Sequence, residues 1–247
     1  MINNFLIDNF KHLTTTPENV EQLKKLVLQM AVQGKLTAKW REEVKTQGLA
    51  SPDDTNHNAR ALLEKIKTEK EQLIKEGKIK RQKPLPPIAD EEVPFDIPER
   101  WEWERLGNFC YIANGNTPSK EAFVDKGIPY LKMYNLKNQK IDFYNKPQYI
   151  KPEIHHGQLK RSRTEIGDVI MNIVGPPLGK LAIIPESLPE CNFNQAGVLI
   201  RPLIFKNLNR WIFCYLNEKS EINSISTKGV AGQNNISITQ AKNIKIS

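Results

Sequence analysis

Residues 175–180, Gly-Pro-Pro-Leu-Gly-Lys, come nearest in the chain to a phosphate loop. Such a loop needs four residues between its glycines, so that backbone N–H groups wrap the phosphates, and a Ser or Thr after the lysine to hold magnesium. Here only three residues intervene and Leu181 takes the hydroxyl's place, so nucleotide binding is not expected. His155 and His156 are adjacent with no Cys or acid pattern beside them, a poor metal site that reads as a solvated loop. Asp168 follows Gly167 but lacks a second convergent carboxylate with which to hold an ion and polarise water, so it reads as a turn acid. No Gly-x-Gly-x-x-Gly follows an amino-terminal strand, and no Asn-Pro-Pro-aromatic tetrad is present to hold a base for methylation. The expectation is a chain with no catalytic residue and no bound cofactor or metal.

Binding chemistry is better represented. Lys160, Arg161 and Arg163 fall within four residues and can dock on phosphates, although a solvated loop explains them equally well. Residues 113–120 offer Asn114, Asn116, Thr117, Ser119 and Lys120 around Gly115. Asn192, Asn194 and Gln195 form a second amide-rich loop, and residues 229–235, with Gln233 and Asn234, a third. Asn and Gln can read adenine through paired hydrogen bonds, though the same residues also make ordinary turns. Lys132 and Lys228 complete the candidate DNA-binding set. The run Lys78, Lys80, Arg81 and Lys83 fits phosphate contact or a solvated helix end.

Charge supports an anionic partner. The formal net charge is +8; residues 1–92 hold 16 basic and 14 acidic side chains, leaving 20 and 14 in the rest, so most of the excess lies there. A field of that sign favours DNA or RNA. Cys110, Cys191 and Cys214 are odd in number with no Cys-x-x-Cys pair, which argues against a disulfide framework or ordinary zinc site and for buried free thiols. The first ten residues, interrupted by Asp8, carry no signal-peptide pattern, and no run approaches the roughly 18 apolar residues of a membrane span. A cytoplasmic protein with no membrane contact is expected.

These residues must be positioned by two kinds of element. Thr16-Pro17-Glu18 is a helix start, followed by Val20, Leu23, Leu26, Val27 and Met30 at helical spacing and by Gly34 as a stop. The stripe of Leu23, Val27 and Met30 reads as core, with a docking face as the alternative. A short polar helix carries Trp40, residues 51–58 form a polar loop, and residues 59–75 form a second amphipathic helix. Pro84, Pro86 and Pro87 then force extended backbone. After Trp101 and Trp103 the texture changes to short β-type runs at 128–134, 168–174, 180–184 and 197–201, a helix at 210–218, and a strand starting at Ile236 and Ile238. The fold class is α+β: a helical module over residues 1–92 with a basic, proline-rich exit, then a mixed α/β domain of short, twisted strands over 93–247.

Longer blocks carry a resemblance. Residues 26–40 (LVLQMAVQGKLTAKW), 62–87 and 94–109 (PFDIPERWEWERLGNF), then Gly115 with Thr117-Pro118-Ser119, Gly127-Ile128-Pro129-Tyr130, Gly167-Asp168-Val169, Gly179-Lys180, Asn194-Gln195 and residues 232–236 (GQNNI), resemble the amino-terminal half of the specificity subunit of a Type I restriction-modification system. The resemblance implies a target-recognition domain over 93–247 that reads one half of a split DNA sequence, with Asp168 and the glycines as scaffold rather than base readers. It implies double-stranded DNA as a partner and a modification subunit that binds S-adenosylmethionine and methylates adenine. It also implies a restriction subunit that uses ATP and Mg in the assembled complex, and leaves self-association open. The sequence stops at Lys245-Ile246-Ser247, where the family's next long helix and second recognition domain would follow, so neither is expected in this chain.

Overall fold

The computed structural model describes residues 14–47, 58–188, 190–227 and 235–247. Two compact units share the chain: residues 1–68, 87–104 and Ser247 in one, residues 69–86 and 105–246 in the other.

In the first unit, α1 (Pro17–Val32) starts as its sequence dictates. Thr16 is extended, its hydroxyl accepts the Asn19 N–H at 3.2 Å, and Pro17 sits where no N–H is needed. The helix stops before Gly34, which takes a left-handed φ of 71° and lies so close to Pro98 that an added Cβ would stand 2.5 Å from its Cγ. The expected core stripe is corrected here: Val27 is 39% and Leu26 46% exposed, Leu23 and Met30 are half-buried, and Val32 alone in the helix is buried. Tight packing is confined to the carboxy-terminal end, where Gly34 meets Pro98 and the Arg41 guanidinium donates to the Gly34 carbonyl at 2.7 Å. Helix α2 (Ala38–Thr46) follows, and α3 (Ala59–Lys75) begins with its first N–H on the Arg100 carbonyl at 2.9 Å.

The second unit holds the sheets. Its strands include β1 (Cys110–Asn114), β2 (Phe123–Val124), β3 (Ile128–Leu131), β4 (Leu136–Lys137), β5 (Lys140–Ile141), β6 (Tyr149–Ile150), β7 (Val169–Asn172), β8 (Leu181–Ile183), β9 (Asn192–Phe193) and β10 (Gly197–Pro202). One four-stranded sheet runs β9-β3-β6-β2, with β9 parallel to β3 and the rest antiparallel. The other runs β1-β10-β7-β8 and is antiparallel throughout. Ile170, Leu199 and Ala182 align across β7, β10 and β8 and share one core with Leu131, Phe143 and Phe193. Val198, Ile200 and Met171, on alternate positions, are buried as well. A sheet covered on both faces accounts for strands that read as continuous apolar runs rather than alternating ones. Helix α4 (Leu106–Phe109) precedes β1, α5 (Pro152–His156) follows β6, and α6 (Leu208–Glu218) buries Ile212, Tyr215 and Leu216 against the second sheet, with α7 (Ser220–Thr227) after it.

Two sequence expectations change. The run at 128–134 is a strand only to Leu131, because the Asn135 side chain accepts the Lys132 N–H at 2.9 Å and donates to the Asp142 carbonyl at 3.0 Å, closing a 3-10 turn. The strand expected from Ile236 to Ile238 is instead the start of α8 (Ile238–Lys242): Ser237 accepts the Gln240 N–H at 3.1 Å, and the Gln240 side chain accepts the Ser237 N–H at 2.9 Å. A reciprocal cap of this kind satisfies two helix-end donors at once and overrides the β preference of two isoleucines.

Candidate nucleic-acid interface

The second sheet brings three loops to one of its ends. Asn114, last in β1, pairs with Val198, while Gly197, first in β10, pairs with Asn172, last in β7. The segments 115–120, 194–196 and 173–180 therefore leave the sheet side by side. Backbone bonds fuse them: Gly115 N–H to the Gly197 carbonyl at 3.0 Å, Asn116 N–H to Phe193 at 3.0 Å, and Ile173 N–H to Ala196 at 2.8 Å. The contact is close enough to demand glycine, since a Cβ on Gly115 would lie 2.1 Å from the Asn194 carbonyl oxygen. The Tyr130 hydroxyl, rising from β3, donates to the Asn116 carbonyl at 2.9 Å and lies 3.2 Å from Thr117 Oγ1. Thr117 in turn donates to Gln195 Oε1.

Asn114, Asn116, Thr117, Ser119, Lys120 and Gln195 all keep exposed side chains on this surface. Lys132 is half-buried just after β3, beside Leu131, whose carbonyl accepts the Asn194 N–H at 3.0 Å. Asn194 itself is half-buried, with Oδ1 turned inward and no hydrogen-bond partner. Lys228, Gln233 and Asn234 lie outside the described residues.

Segment 173–180 joins the surface without having been singled out for it. Val174 is 43% exposed and Pro176 and Pro177 are exposed, while Asn172 Nδ2 holds the Pro177 carbonyl at 2.9 Å and Gly175 N–H reaches Asn235 Oδ1 at 3.4 Å. The glycines at 175 and 179 both have positive φ, so they serve a tight turn between β7 and β8 rather than a phosphate. Gly-Pro-Pro-x-Gly between two branched apolar runs was the available signal.

Tyr111 and Arg201, opposite each other in β1 and β10, mark the other end of that sheet, and there the turn Lys160–Ser162 is attached. Lys160 and Arg161 are exposed, whereas Arg163 donates to Glu190 at 3.2 Å. Two sequence expectations are corrected around this turn. Asn192 cannot read a base: it is fully buried in β9 and its amide donates to the Leu159 carbonyl at 3.0 Å and Ser162 Oγ at 3.1 Å. His155 is no solvated loop residue but lies fully buried in α5, its Nδ1 2.5 Å from Asn192 Oδ1. Nε2 is 3.4 Å from Glu190 Oε2, yet is not aligned for a hydrogen bond.

Asp168 is a turn acid only in part. Its Oδ2 accepts the Glu165 N–H at 2.6 Å, but the carboxylate is 2% exposed and clasps Arg201 through two bonds of 2.7 Å. Burial pushes the Asp168 carboxyl above its ordinary value against the pull of Arg201, while burial lowers the Arg201 guanidinium and the hydrogen bond and charge of Asp168 more than offset that, leaving it above its ordinary value. Among the described residues no cluster of His, Cys, Asp or Glu is placed to hold a metal ion, and no helix is long and apolar enough to cross a membrane. Cys110 and Cys191 are buried free thiols as expected, while Cys214 is half-buried.

Known proteins bear on this arrangement. Residues 98–247 match the Type I restriction modification DNA specificity domain, more than half of the chain. The specificity subunit of the Type I restriction enzyme EcoAI from Escherichia coli is 45% identical over 130 residues, 52% of this chain and 20% of its own length. That of EcoEI, also from Escherichia coli, is 34% identical over 170 residues, 68% of this chain and 26% of its own. The chain thus matches about a fifth to a quarter of these relatives' length. A crystal structure of the HsdS subunit from Thermoanaerobacter tengcongensis superposes with a TM-score of 0.46 at 18% identity, covering 76% of this chain and 40% of that one. With more than half its length matched, this chain belongs to the Type I restriction-modification DNA specificity domain family.

Proposed function

We propose that the chain recognises one half of a bipartite double-stranded DNA target in the cytoplasm and directs adenine methylation and restriction by partner subunits. It supplies specificity and no catalytic centre; a modification subunit would bring S-adenosylmethionine, and a restriction subunit ATP and Mg. The observation that carries this reading is the fusion of segments 115–120, 173–180 and 194–196 into one surface with Asn116, Thr117, Ser119, Lys120 and Gln195 exposed on it. Amide and hydroxyl groups held on rigid strand ends can be aimed at base edges, and a good bidentate pair discriminates by about 1–3 kcal/mol.

Selection from a random duplex library tests it. One short motif should be enriched, and duplexes bearing it should outcompete scrambled ones, with affinity falling as salt rises. Equal competition by scrambled duplex removes the claim of specificity. A second reading, docking on a modification subunit or on another copy without DNA contact, is favoured by Leu26 and Val27 exposed on α1. Charge reversal at Lys160 and Arg161 separates the two, since it damages DNA binding and spares such docking.

A further inference from the structure

The turn Lys160–Ser162 is tied down by side chains at every second carbonyl. Leu159 accepts from Asn192 Nδ2 at 3.0 Å, Arg161 from the Tyr111 hydroxyl at 2.8 Å, and Arg163 from Arg201 Nη2 at 3.0 Å. The three donors stand on β9, β1 and β10, strands of both four-stranded sheets. Two of them are themselves fixed, Asn192 by His155 and Arg201 by Asp168. Ser162 is buried at the centre, donating to the Leu159 carbonyl at 3.1 Å and accepting from Asn192. With its carbonyls and its serine drawn inward, the turn presents Lys160 and Arg161 outward. Both are exposed, and neither forms an ion pair among the described residues, in contrast to Arg163 on Glu190.

We propose that Lys160 and Arg161 are a preset grip on the phosphates of a DNA strand, with Tyr111, Asn192 and Arg201 as its positioning residues. This deepens the DNA reading above and rests on it. A loop that had to order on binding would lose conformational entropy for each residue fixed, whereas here folding has already fixed the backbone and left only two side chains to settle. Tyr111 and Asn114 are three residues apart on β1, about 10 Å along the strand. Tyr111 also places its ring beside Arg201, whose Cζ is 5.9 Å from the ring centroid, so one aromatic side chain links the carbonyl of Arg161 to the clasp that holds the carbonyl of Arg163.

The test is the salt dependence of binding by the full chain to a fluorescent 25-base-pair duplex of random sequence. Phosphate contacts are independent of sequence, and each one lost flattens the slope of log Kobs against log salt by about 0.9. Lys160→Ala and Arg161→Ala should each flatten it by about that amount with an unchanged melting temperature, while Arg161→Lys should keep most of the slope. Tyr111→Phe removes only the hydroxyl on the Arg161 carbonyl. It should weaken binding by roughly threefold or more in the native background and have little effect on top of Arg161→Ala, because the group it positions is then absent. If the native chain binds and the Lys160→Ala, Arg161→Ala double variant has the native slope, the grip is wrong and the DNA reading stands. If Tyr111→Phe weakens binding equally in both backgrounds, its assignment as a positioning residue falls. Failure of the native chain to bind any duplex at low salt overturns the DNA reading itself.

Discussion

Replacing Asn192 separates a reader of bases from a buried strut. In Asn192→Leu the side chain keeps its size but loses all three of its hydrogen bonds. The Leu159 carbonyl is not orphaned, because Ser162 N–H still donates to it at 3.0 Å and Ser162 Oγ at 3.1 Å. The group left unpaired is His155. Its Nδ1 has Asn192 Oδ1 as hydrogen-bond partner at 2.5 Å, its Nε2 makes no hydrogen bond, and the ring is fully buried. An orphaned buried donor costs about 1–3 kcal/mol, and the lost bonds to Leu159 and Ser162 add about 0.5–1 kcal/mol, so a loss of roughly 1.5–4 kcal/mol is expected. That is a large share of a stability of about 5–15 kcal/mol. Replacing both partners, His155→Leu with Asn192→Leu, removes the orphan and should recover at least about 1 kcal/mol of it. Native-state hydrogen exchange of the β7 and β10 amides is the appropriate assay, because it reports the opening of these strands rather than of α1 to α3. A loss below about 0.5 kcal/mol, with the DNA motif altered instead, would refute the buried-strut reasoning and restore Asn192 as a reader of bases.

Three further outcomes are expected. Gly115→Ala forces a Cβ to within 2.1 Å of the Asn194 carbonyl oxygen and 2.4 Å of that of Phe193, so the loops must part; a cost of about 1–3 kcal/mol and weakened motif selection are expected, measured by urea midpoint and duplex competition. Burial pushes the Cys191 thiol up to about 12, which at pH 8 cuts its thiolate fraction roughly a thousandfold from that of the ordinary value of 9.0; alkylation followed by mass spectrometry should label half-buried Cys214 first and Cys191 only on unfolding. Val27→Ser should change stability by less than about 1 kcal/mol by urea unfolding, where full burial of the side chain would have made it about 1.5–3 kcal/mol; the larger value would place α1's stripe in a core.

Local chemistry that acts over a few residues was legible in advance. Thr16, Pro17 and Gly34 start and stop α1 as their own conformational preferences require, and branched apolar runs mark β7, β8 and β10 to within two residues. Ser237 and Gln240 carried a readable cap as well, obscured by the two isoleucines around it. Segments 115–120 and 194–195 were legible as loops, whereas 113–114 and 192–193 are strand residues, and the meeting of the two loops on one surface was not legible.

The sequence by itself determined the class of the protein: an α+β chain with short strands, a basic second half and the motifs of a DNA specificity domain. Only the tertiary structure decided which polar groups face outward. Asn192 and Gln195 lie three positions apart in one amide-rich segment, and the pairing of β9 with β3 buries the first while the end of the sheet leaves the second exposed. Lys160 and Arg163 likewise sit in one basic cluster, and a single carboxylate, Glu190, distinguishes the one it holds from the one it leaves in solvent. Burial and pairing are set by neighbours distant in the chain, and no spacing along it encodes their positions.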